Sequence, residues 1–310
     1  MPHHLVRGIL KNNHGSISKA ITLIENSQSP PEPFFSDIHK NSFNSVRIGI
    51  TGPPGAGKST LTSSLIEFCL ADGKEVGVIA VDPTSPFTGG ALLGDRVRMN
   101  KYVGDNRVFL RSMGNHCDLG GLSSKVQEIG DVLAASGKDY IFFETVGVGQ
   151  GEHDIINVAD ISIVVLVPES GDEIQLMKAG LIEIADIFVI NKSDREGSNR
   201  IASTLKNILH IFKKQDRREP SVFNTIANKQ EGVLELFNGI ELYLRMIDKE
   251  GLLESRKLER YRKRVFDIIQ NSLETSFWSS GKQKQLIDLT KNIDGTSIDP
   301  HTVAKQLLQG

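Results

Sequence analysis

The chain has 310 residues, of which 39% are hydrophobic and 24% charged, and this composition excludes a mainly disordered protein. Its formal net charge is −2, so it offers no basic field to nucleic acid or to an anionic membrane surface. Two cysteines, Cys69 and Cys117, are too few for a disulfide framework and indicate a reducing compartment. At this length we expect one large domain with appendages, or two domains.

The sequence shows no membrane span and no targeting segment. Its apolar runs are shorter than the roughly 18 residues that a membrane span needs. Residues 1–11 lack the apolar core and cleavage site of a secretory signal. These features predict a cytoplasmic protein without a nucleic-acid or membrane partner.

Residues 1–45 predict an N-terminal helical arm that leads into a linker. Apolar residues recur three and four positions apart in two stretches, which Asn12-Asn13-His14-Gly15 separates. The segment Ser29-Pro30-Pro31-Glu32-Pro33 then stops helix formation, because proline lacks a backbone donor and restricts the residue before it.

Residues 46–240 alternate between strand-like and helix-like stretches, which predicts an α/β fold with a doubly wound, mostly parallel sheet. Several strands are nearly continuous apolar runs, as is typical of strands covered on both faces. Ligands of such sheets bind beyond the carboxyl ends of the strands. The predicted strands are Val46–Thr51, Glu75–Val81, Val108–Arg111, Asp139–Glu144, Ile161–Val167, Ile187–Asn191 and Ser221–Phe223.

Residues 241–310 are predicted to be helical. Leu258, Tyr261, Val265 and Ile268 follow a three-four-three spacing with charged residues between them. This apolar face needs a partner surface, which is either the nucleotide domain of the same chain or a second copy in a dimer.

The strongest motif is a phosphate loop that follows the first strand and precedes a helix. Its pattern is G-x-x-x-x-G-K-[ST], in the strand–loop–helix context that this motif requires. Glycines let backbone N–H groups approach a polyphosphate, and the helix directs its positive end at the phosphates. We expect Lys58 on the β- and γ-phosphates and Ser59 on Mg²⁺. The predicted phosphate-binding residues are Gly52, Pro53, Pro54, Gly55, Ala56, Gly57, Lys58, Ser59 and Thr60.

A second motif predicts that the base is guanine. Asn191-Lys192-Ser193-Asp194 ends an apolar strand and fits the N-K-x-D element of GTP-binding proteins. The Asp194 carboxylate can accept hydrogen bonds from N1–H and the 2-amino group of guanine, whereas adenine would leave it unpaired. The Lys192 stem covers the base, and Asn191 ties this loop to the phosphate loop. The two motifs together predict a guanine-specific NTPase.

Three acidic residues are candidates to surround Mg²⁺, directly or through water. Asp82 directly follows a predicted strand, Asp95 lies further along the same loop, and Glu144 stands where a Walker-B aspartate normally stands. With Ser59 they form the predicted metal site. Lys58, Asp82 and Glu144 are the predicted catalytic residues.

Glycines after Glu144 predict a switch. Gly147 and Gly149 allow the backbone to approach a γ-phosphate, and a loop that this phosphate orders is released on hydrolysis. The usual water-orienting glutamine after Asp-x-x-Gly is missing, which leaves Gln150 or a recruited acid as candidates. We expect slow intrinsic hydrolysis that a partner stimulates.

Taken together, the motifs resemble the MeaB/ArgK/MMAA family. These proteins are GTPase chaperones of adenosylcobalamin-dependent acyl-CoA mutases, chiefly methylmalonyl-CoA mutase. The resemblance covers nearly the whole chain. Besides the phosphate loop, it rests on the segments Val81–Arg96, Arg111–Gly114 and Glu144–Gln150.

The resemblance implies further roles. It places Asp82, Asp95 and Glu144 around the metal, and residues 170–180 in a mobile loop that relays the nucleotide state to the mutase. It also implies a homodimer built by the C-terminal helices. The resemblance further implies that Ala227 supplies a backbone N–H to guanine O6, although the Ser-Ala motif that the family usually has at this point is not intact here. Asn115-His116-Cys117-Asp118 likewise departs from the family pattern.

The predicted function is therefore a GTP-hydrolysing chaperone that gates adenosylcobalamin loading or protection of a mutase, with GTP, GDP and Mg²⁺ as its ligands. One alternative is a nickel-insertion GTPase, for which His116 and Cys117 would be soft ligands. A second is a small-molecule kinase acting in amino-acid transport. A third is a switch that binds GTP and hydrolyses it negligibly.

Overall fold

A computed structural model describes residues 2–26, 32–82, 100–102, 104–114, 121–145, 157–170, 181–212, 219–291 and 299–309. The chain forms two compact units, residues 1–257 and 258–310. The strands are β1 (Val46–Thr51), β2 (Val76–Asp82), β3 (Val108–Gly114), β4 (Tyr140–Thr145), β5 (Ile161–Leu166), β6 (Ile187–Asn191) and β7 (Ser221–Thr225). The helices are α1 (Pro2–Leu10), α2 (His14–Asn26), α3 (Glu32–His39), α4 (Lys58–Ala71), α5 (Gly121–Ala135), α6 (Leu181–Ile184), α7 (Ser198–Phe212), α8 (Val233–Lys249), α9 (Leu252–Phe277), α10 (Ser280–Leu289) and α11 (Pro300–Gln309).

The seven strands form one sheet in the order β3-β2-β4-β1-β5-β6-β7, and every pair of neighbours is parallel. All carboxyl ends therefore lie along one edge. Strands β2 to β4 lie on one side of β1 and strands β5 to β7 on the other. The loop after β1 thus leaves the sheet at its topological switch point, where ligands of this architecture bind. This confirms the predicted doubly wound α/β fold.

Successive side chains of the buried strands point to opposite faces of the sheet. Phe142 packs in a core with α4 and α8, and Phe143 packs in a second core with α2 and α5. Because both faces are covered, β4, β5 and β6 are buried along their whole length. This explains the continuous apolar runs in the sequence.

The strand bounds agree with the predicted ones to within one residue at each end, except at β3 and at β7, which continues past Phe223 to Thr225. β1 and β6 span the predicted residues, whereas β3 continues past Arg111 to Gly114. The additional residues pair with β2, and the last pair joins Asp82 to Gly114. Pairing with a neighbouring strand extends β3 through Ser112-Met113-Gly114, which has little strand character of its own.

The N-terminal arm contains a third helix that the proline-rich sequence did not indicate. α3 begins at Glu32 and places Pro33 in its first turn, where proline is tolerated because the first amides of a helix have no partner. Phe34 and Ile38 of α3 are fully buried in the core that α2 and α5 share. The arm is therefore part of the first compact unit.

Residues 258–310 contain the rest of α9, with α10 and α11. α9 and α10 have no buried residue within the described part of the chain, whereas α11 buries Val303 and Leu307. Ser279 caps α10 by accepting a hydrogen bond from the Lys282 amide at 3.3 Å. Among the described helices, none is long and apolar enough to cross a membrane.

Candidate nucleotide site

Glycines shape the loop between β1 and α4. Gly52 has a φ of 137°, and a Cβ there would lie 2.1 Å from the Val165 carbonyl oxygen. Gly57 has a φ of 88°, and a Cβ there would lie 2.4 Å from Asn191 Nδ2. Only glycine fits these two positions without displacing its neighbours. α4 starts at the next residue, so the positive end of the helix faces the loop.

Lys58 lies folded over this loop. It is buried, and its ammonium donates hydrogen bonds to the Gly52 carbonyl at 2.7 Å and the Pro53 carbonyl at 2.9 Å. A fixed positive charge above a loop and a helix N-terminus suits a polyphosphate.

Ser59 and Glu144 bring two oxygen ligands together at the same edge of the sheet. Both residues are buried, and the Ser59 hydroxyl donates a hydrogen bond to Glu144 Oε1. The strand register explains the contact, because Glu144 of β4 pairs with Ile50 near the end of β1. Hydroxyl and carboxylate oxygens are hard ligands of the kind that Mg²⁺ prefers.

Asn191 links the phosphate loop to the predicted base site. Its buried side-chain amide donates to the Ala56 carbonyl at 2.8 Å. Its Oδ1 accepts hydrogen bonds from Thr225 Oγ1 at 3.2 Å and from the Ala227 amide at 3.1 Å. One side chain therefore joins the loops that follow β1, β6 and β7.

Lys192 and Asp194 lie on the exposed side of this junction. Lys192 has a left-handed backbone, with a φ of 56°, and donates to the Gly55 carbonyl at 2.7 Å. Its stem therefore runs along the phosphate loop. Asp194 forms an ion pair with Lys229 at 3.4 Å and remains partly exposed, so its carboxylate is accessible to a base.

Ala227 is held at both of its polar backbone atoms. Its N–H is directed at Asn191 Oδ1, and its carbonyl accepts a hydrogen bond from Ser64 Oγ at 3.0 Å. A guanine O6 that approaches this N–H would share or replace the bond to Asn191. Ala227 begins the 3₁₀ turn Ala227–Lys229, which follows β7.

The remaining predicted residues are described only in part. Asp82 is the last residue of β2, at the same sheet edge as Glu144. Asp95, Gly147, Gly149 and Gln150 lie outside the described residues, as do His116 and Cys117. Of the predicted relay loop, residues 170–180, only Ser170 is described, at the end of a 3₁₀ turn. The described part of the chain contains no group of three or more His, Cys, Asp or Glu residues placed to hold a metal ion.

No sequence pattern assigned an individual role to Thr225, Ser64 or Lys229, although all three contact predicted site residues. The sequence does contain one feature that could have indicated the contact made by Ser64. α4 contains five hydroxyl residues in its first seven positions, and four of them are buried. Hydroxyls in a buried helix need acceptors, and the single hydroxyl proton of Ser64 has two within reach, the Thr60 carbonyl at 3.1 Å and the Ala227 carbonyl at 3.0 Å.

Comparison with known proteins decides the family. The sequence profile of the family described as methylmalonyl-CoA mutase-associated GTPase MeaB matches residues 17–282. The chain belongs to the MeaB family. A putative GTPase of Pyrococcus abyssi is 39% identical, over 100% of this chain and 96% of that protein. GTPase ArgK of Escherichia coli is 31% identical, over 97% and 94% of the two chains.

A crystal structure of an LAO/AO transport system kinase matches the MeaB fold described here. It covers 99% of this chain and 96% of its own, with a TM-score of 0.75 and 24% identity. At this identity the likeness shows the fold alone. The family and the named relatives establish that this MeaB-family chain is a P-loop GTPase that hydrolyses GTP.

Proposed function

We propose that this GTPase is a nucleotide-gated chaperone of an adenosylcobalamin-dependent acyl-CoA mutase, with methylmalonyl-CoA mutase as its client. Its nucleotide state would control loading of adenosylcobalamin or removal of damaged cobalamin. The observation that carries the proposal is the family match over residues 17–282, because the family is named for its association with this mutase. The guanine motif and phosphate loop, joined through Asn191, supply the nucleotide site on which gating depends.

The nucleotide is proposed to lie along the edge formed by the carboxyl ends of β1, β4 and β6. Its phosphates would rest on residues 52–60, with Gly147 near the γ-phosphate. Its base would rest on Asn191, Lys192 and Asp194, with O6 near Ala227. The 2.7 Å bond from Lys192 to Gly55 supports this placement, because it brings the base motif into contact with the phosphate loop.

We assign the metal site to Ser59 and Glu144, together with Asp82 and Asp95. The buried contact between the Ser59 hydroxyl and the Glu144 carboxylate fits Mg²⁺, because both offer hard oxygen ligands. When bound, the ion neutralises charge on the β- and γ-phosphates.

Lys58 is proposed to supply the fixed positive charge of the reaction. Its ammonium would exchange the Gly52 and Pro53 carbonyls for the β- and γ-phosphate oxygens. Charge that grows on those oxygens in the transition state would then be stabilised by a preorganised donor. Hydrolysis would be slow until the client completes the site, because the sequence lacks the usual water-orienting glutamine.

Gating requires that the mutase binds one nucleotide state better than the other. The test is GTP turnover by the purified protein, alone and with the methylmalonyl-CoA mutase of the same organism. We expect the mutase to raise the turnover rate. If turnover is guanine-specific but the mutase does not change its rate, methylmalonyl-CoA mutase is not the client, although the protein is still a GTPase. Lys58→Ala serves as the control that any stimulated turnover comes from this site.

We also propose that the chain is a homodimer assembled through α9. Between Leu258 and Leu273, seven large apolar side chains of α9 are between 39% and 65% exposed. At about 100° per residue they cover roughly half of the helix circumference, so they form one continuous face. The residues are Leu258, Tyr261, Val265, Phe266, Ile268, Ile269 and Leu273. A second copy of the chain would cover this face with its own.

Analytical ultracentrifugation tests the dimer. Leu273→Glu should give a monomer, because a charge would replace an apolar contact in the proposed interface between the two copies of α9. Leu242→Glu is the matched control, since Leu242 of α8 is 69% exposed but lies on another helix. A monomeric wild-type chain, or a Leu273→Glu variant that remains dimeric, would refute this assembly.

A further inference from the structure

We propose that Glu67 and Gln230 are positioning residues for guanine recognition. Their contact would hold the turn that carries Ala227 against α4. The inference rests on the proposed placing of the base at Asn191, Lys192 and Asp194. It assigns a role to two side chains that lie outside both nucleotide motifs.

One face of α4 lies against residues 226–231, the turn that carries Ala227 and is called the base turn below. Ser64 donates to the Ala227 carbonyl at 3.0 Å, and both residues are buried. Glu67, three positions later on the same face, accepts a hydrogen bond from the Gln230 side-chain amide through Oε2. The helix that begins under the phosphates therefore holds the base turn at two points.

The turn itself is a closed unit. Its ends are joined by a hydrogen bond from the Ile226 amide to the Glu231 carbonyl at 2.9 Å. Inside it, the Gln230 amide bonds to the Ala227 carbonyl at 3.3 Å. A displacement of Gln230 would therefore move Ala227, whose N–H is the one predicted to meet the base.

The backbone of Gln230 gives an independent reason to assign its side chain a role. Its φ of 59° lies in the left-handed region, which disfavours residues with a Cβ. Within the described ranges, only Asn12, Lys192 and Gln230 combine a side chain with a positive φ. Lys192 belongs to the guanine motif. A strained backbone supports a functional hypothesis when the side chain makes a specific contact, as Gln230 does with Glu67.

Glu67 also joins the base turn to the segment before β3. Its Oε1 pairs with Lys101, which lies in the 3₁₀ turn Asn100–Tyr102. Tyr102 of that turn is buried and donates to the Ser63 carbonyl of α4 at 2.6 Å. Burial raises the pKa of the Tyr102 phenol, so it remains a neutral donor. Glu67 is thus held from one side by Lys101 and bonds Gln230 on the other.

The experiment compares Gln230→Gly, Glu67→Ala and their combination, with the dissociation constant for GDP as the readout. Gln230→Gly suits the left-handed backbone and removes only the side chain, so the fold should be at least as stable as the wild type. We expect each single variant to bind GDP about fivefold more weakly, as for one partly exposed hydrogen bond to a charged group. The loss should appear in the KM for GTP rather than in kcat.

Asn12→Gly is the matched control, because Asn12 is also left-handed, with a φ of 54°. Its side chain bonds Glu75 and the Asn106 carbonyl, each at 2.9 Å, at the opposite edge of the sheet. We expect its nucleotide affinity to equal that of the wild type.

The double variant decides whether the two side chains act together. A fivefold loss in the double variant, no larger than in either single variant, would support the contact. Wild-type GDP affinity in Gln230→Gly, or losses that multiply, would overturn the inference. Asp194→Asn identifies the source of a failure. If it leaves guanine selectivity unchanged, the proposed base site is wrong; if it relaxes selectivity while Gln230→Gly binds normally, only the positioning role is wrong.

Discussion

Replacing Asn191 with alanine should separate the loops that meet at the nucleotide site. The side chain is 2% exposed and makes three hydrogen bonds, to Ala56, Thr225 and Ala227. At about 1 kcal/mol net for each neutral hydrogen bond, the substitution should reduce the free energy of unfolding by about 3 kcal/mol. For a unit of this size that corresponds to a fall in Tm of roughly 6–12 °C.

Two assays measure the effect of Asn191→Ala. Thermal unfolding without nucleotide reports the stability loss, and fluorescence titration with GDP reports the affinity. We expect the affinity to fall at least about tenfold, because binding must then order the two loops that Asn191 holds in place. Addition of GDP should raise the Tm of the variant less than that of the wild type.

Thr225→Val is the graded control for Asn191→Ala. It removes one of the three hydrogen bonds, at 3.2 Å, and keeps a side chain of similar volume. We expect about one third of the stability loss, roughly 1 kcal/mol. Wild-type stability and GDP affinity in Asn191→Ala would refute the argument that this side chain joins the loops.

Three further predictions follow from the described contacts. Lys58→Ala should reduce single-turnover GTP hydrolysis at least about 100-fold, because its charge is proposed to stabilise the phosphates in the transition state, and loss of its two hydrogen bonds should also lower the Tm; near-normal hydrolysis would contradict the proposed role. Gly57→Ala should abolish tight GDP binding, since its Cβ would lie 2.4 Å from Asn191 Nδ2 at a φ of 88°, and normal binding in a fluorescence titration would contradict this geometry. Burial raises the pKa of the Cys69 thiol to about 12 from 9.0, so in a Cys117→Ser background a thiol reagent at pH 8 should label Cys69 only after unfolding. The stabilising effect of that neutral thiol is complete below pH 9 and is lost as the pH rises towards 12; rapid labelling of the folded protein at pH 8 would contradict its burial.

The sequence predicts the sheet well because its signals are local. β1 and β6 are short apolar runs with clear ends, and the structure gives them the predicted bounds. β3 and α3 depend instead on tertiary contacts. Ser112-Met113-Gly114 becomes strand by pairing with β2, and α3 is stabilised by burial of Phe34 and Ile38. Propensity alone does not contain these contacts.

The candidate site likewise contains residues that local sequence predicts and residues that only tertiary contacts bring together. The phosphate and guanine motifs are continuous in the sequence, so their residue types and spacing predict the chemistry directly. The contacts of Ser64 and Gln230 join residues 163 positions apart in each case. No spacing rule covers such distances. They follow from the position of β7 at the far edge of the sheet, which determines where its turn meets α4.

Control of the mutase by the nucleotide can be measured at equilibrium, as a difference in binding affinity between the two nucleotide states. The dissociation constant between this chain and methylmalonyl-CoA mutase should be measured by calorimetry with a non-hydrolysable GTP analogue and again with GDP. A GTPase that gates its client must bind it with different affinity in the two states, and we predict a difference of at least about tenfold. Equal affinities, however tight, would contradict gating, because a partner that does not distinguish the two states cannot be controlled by them.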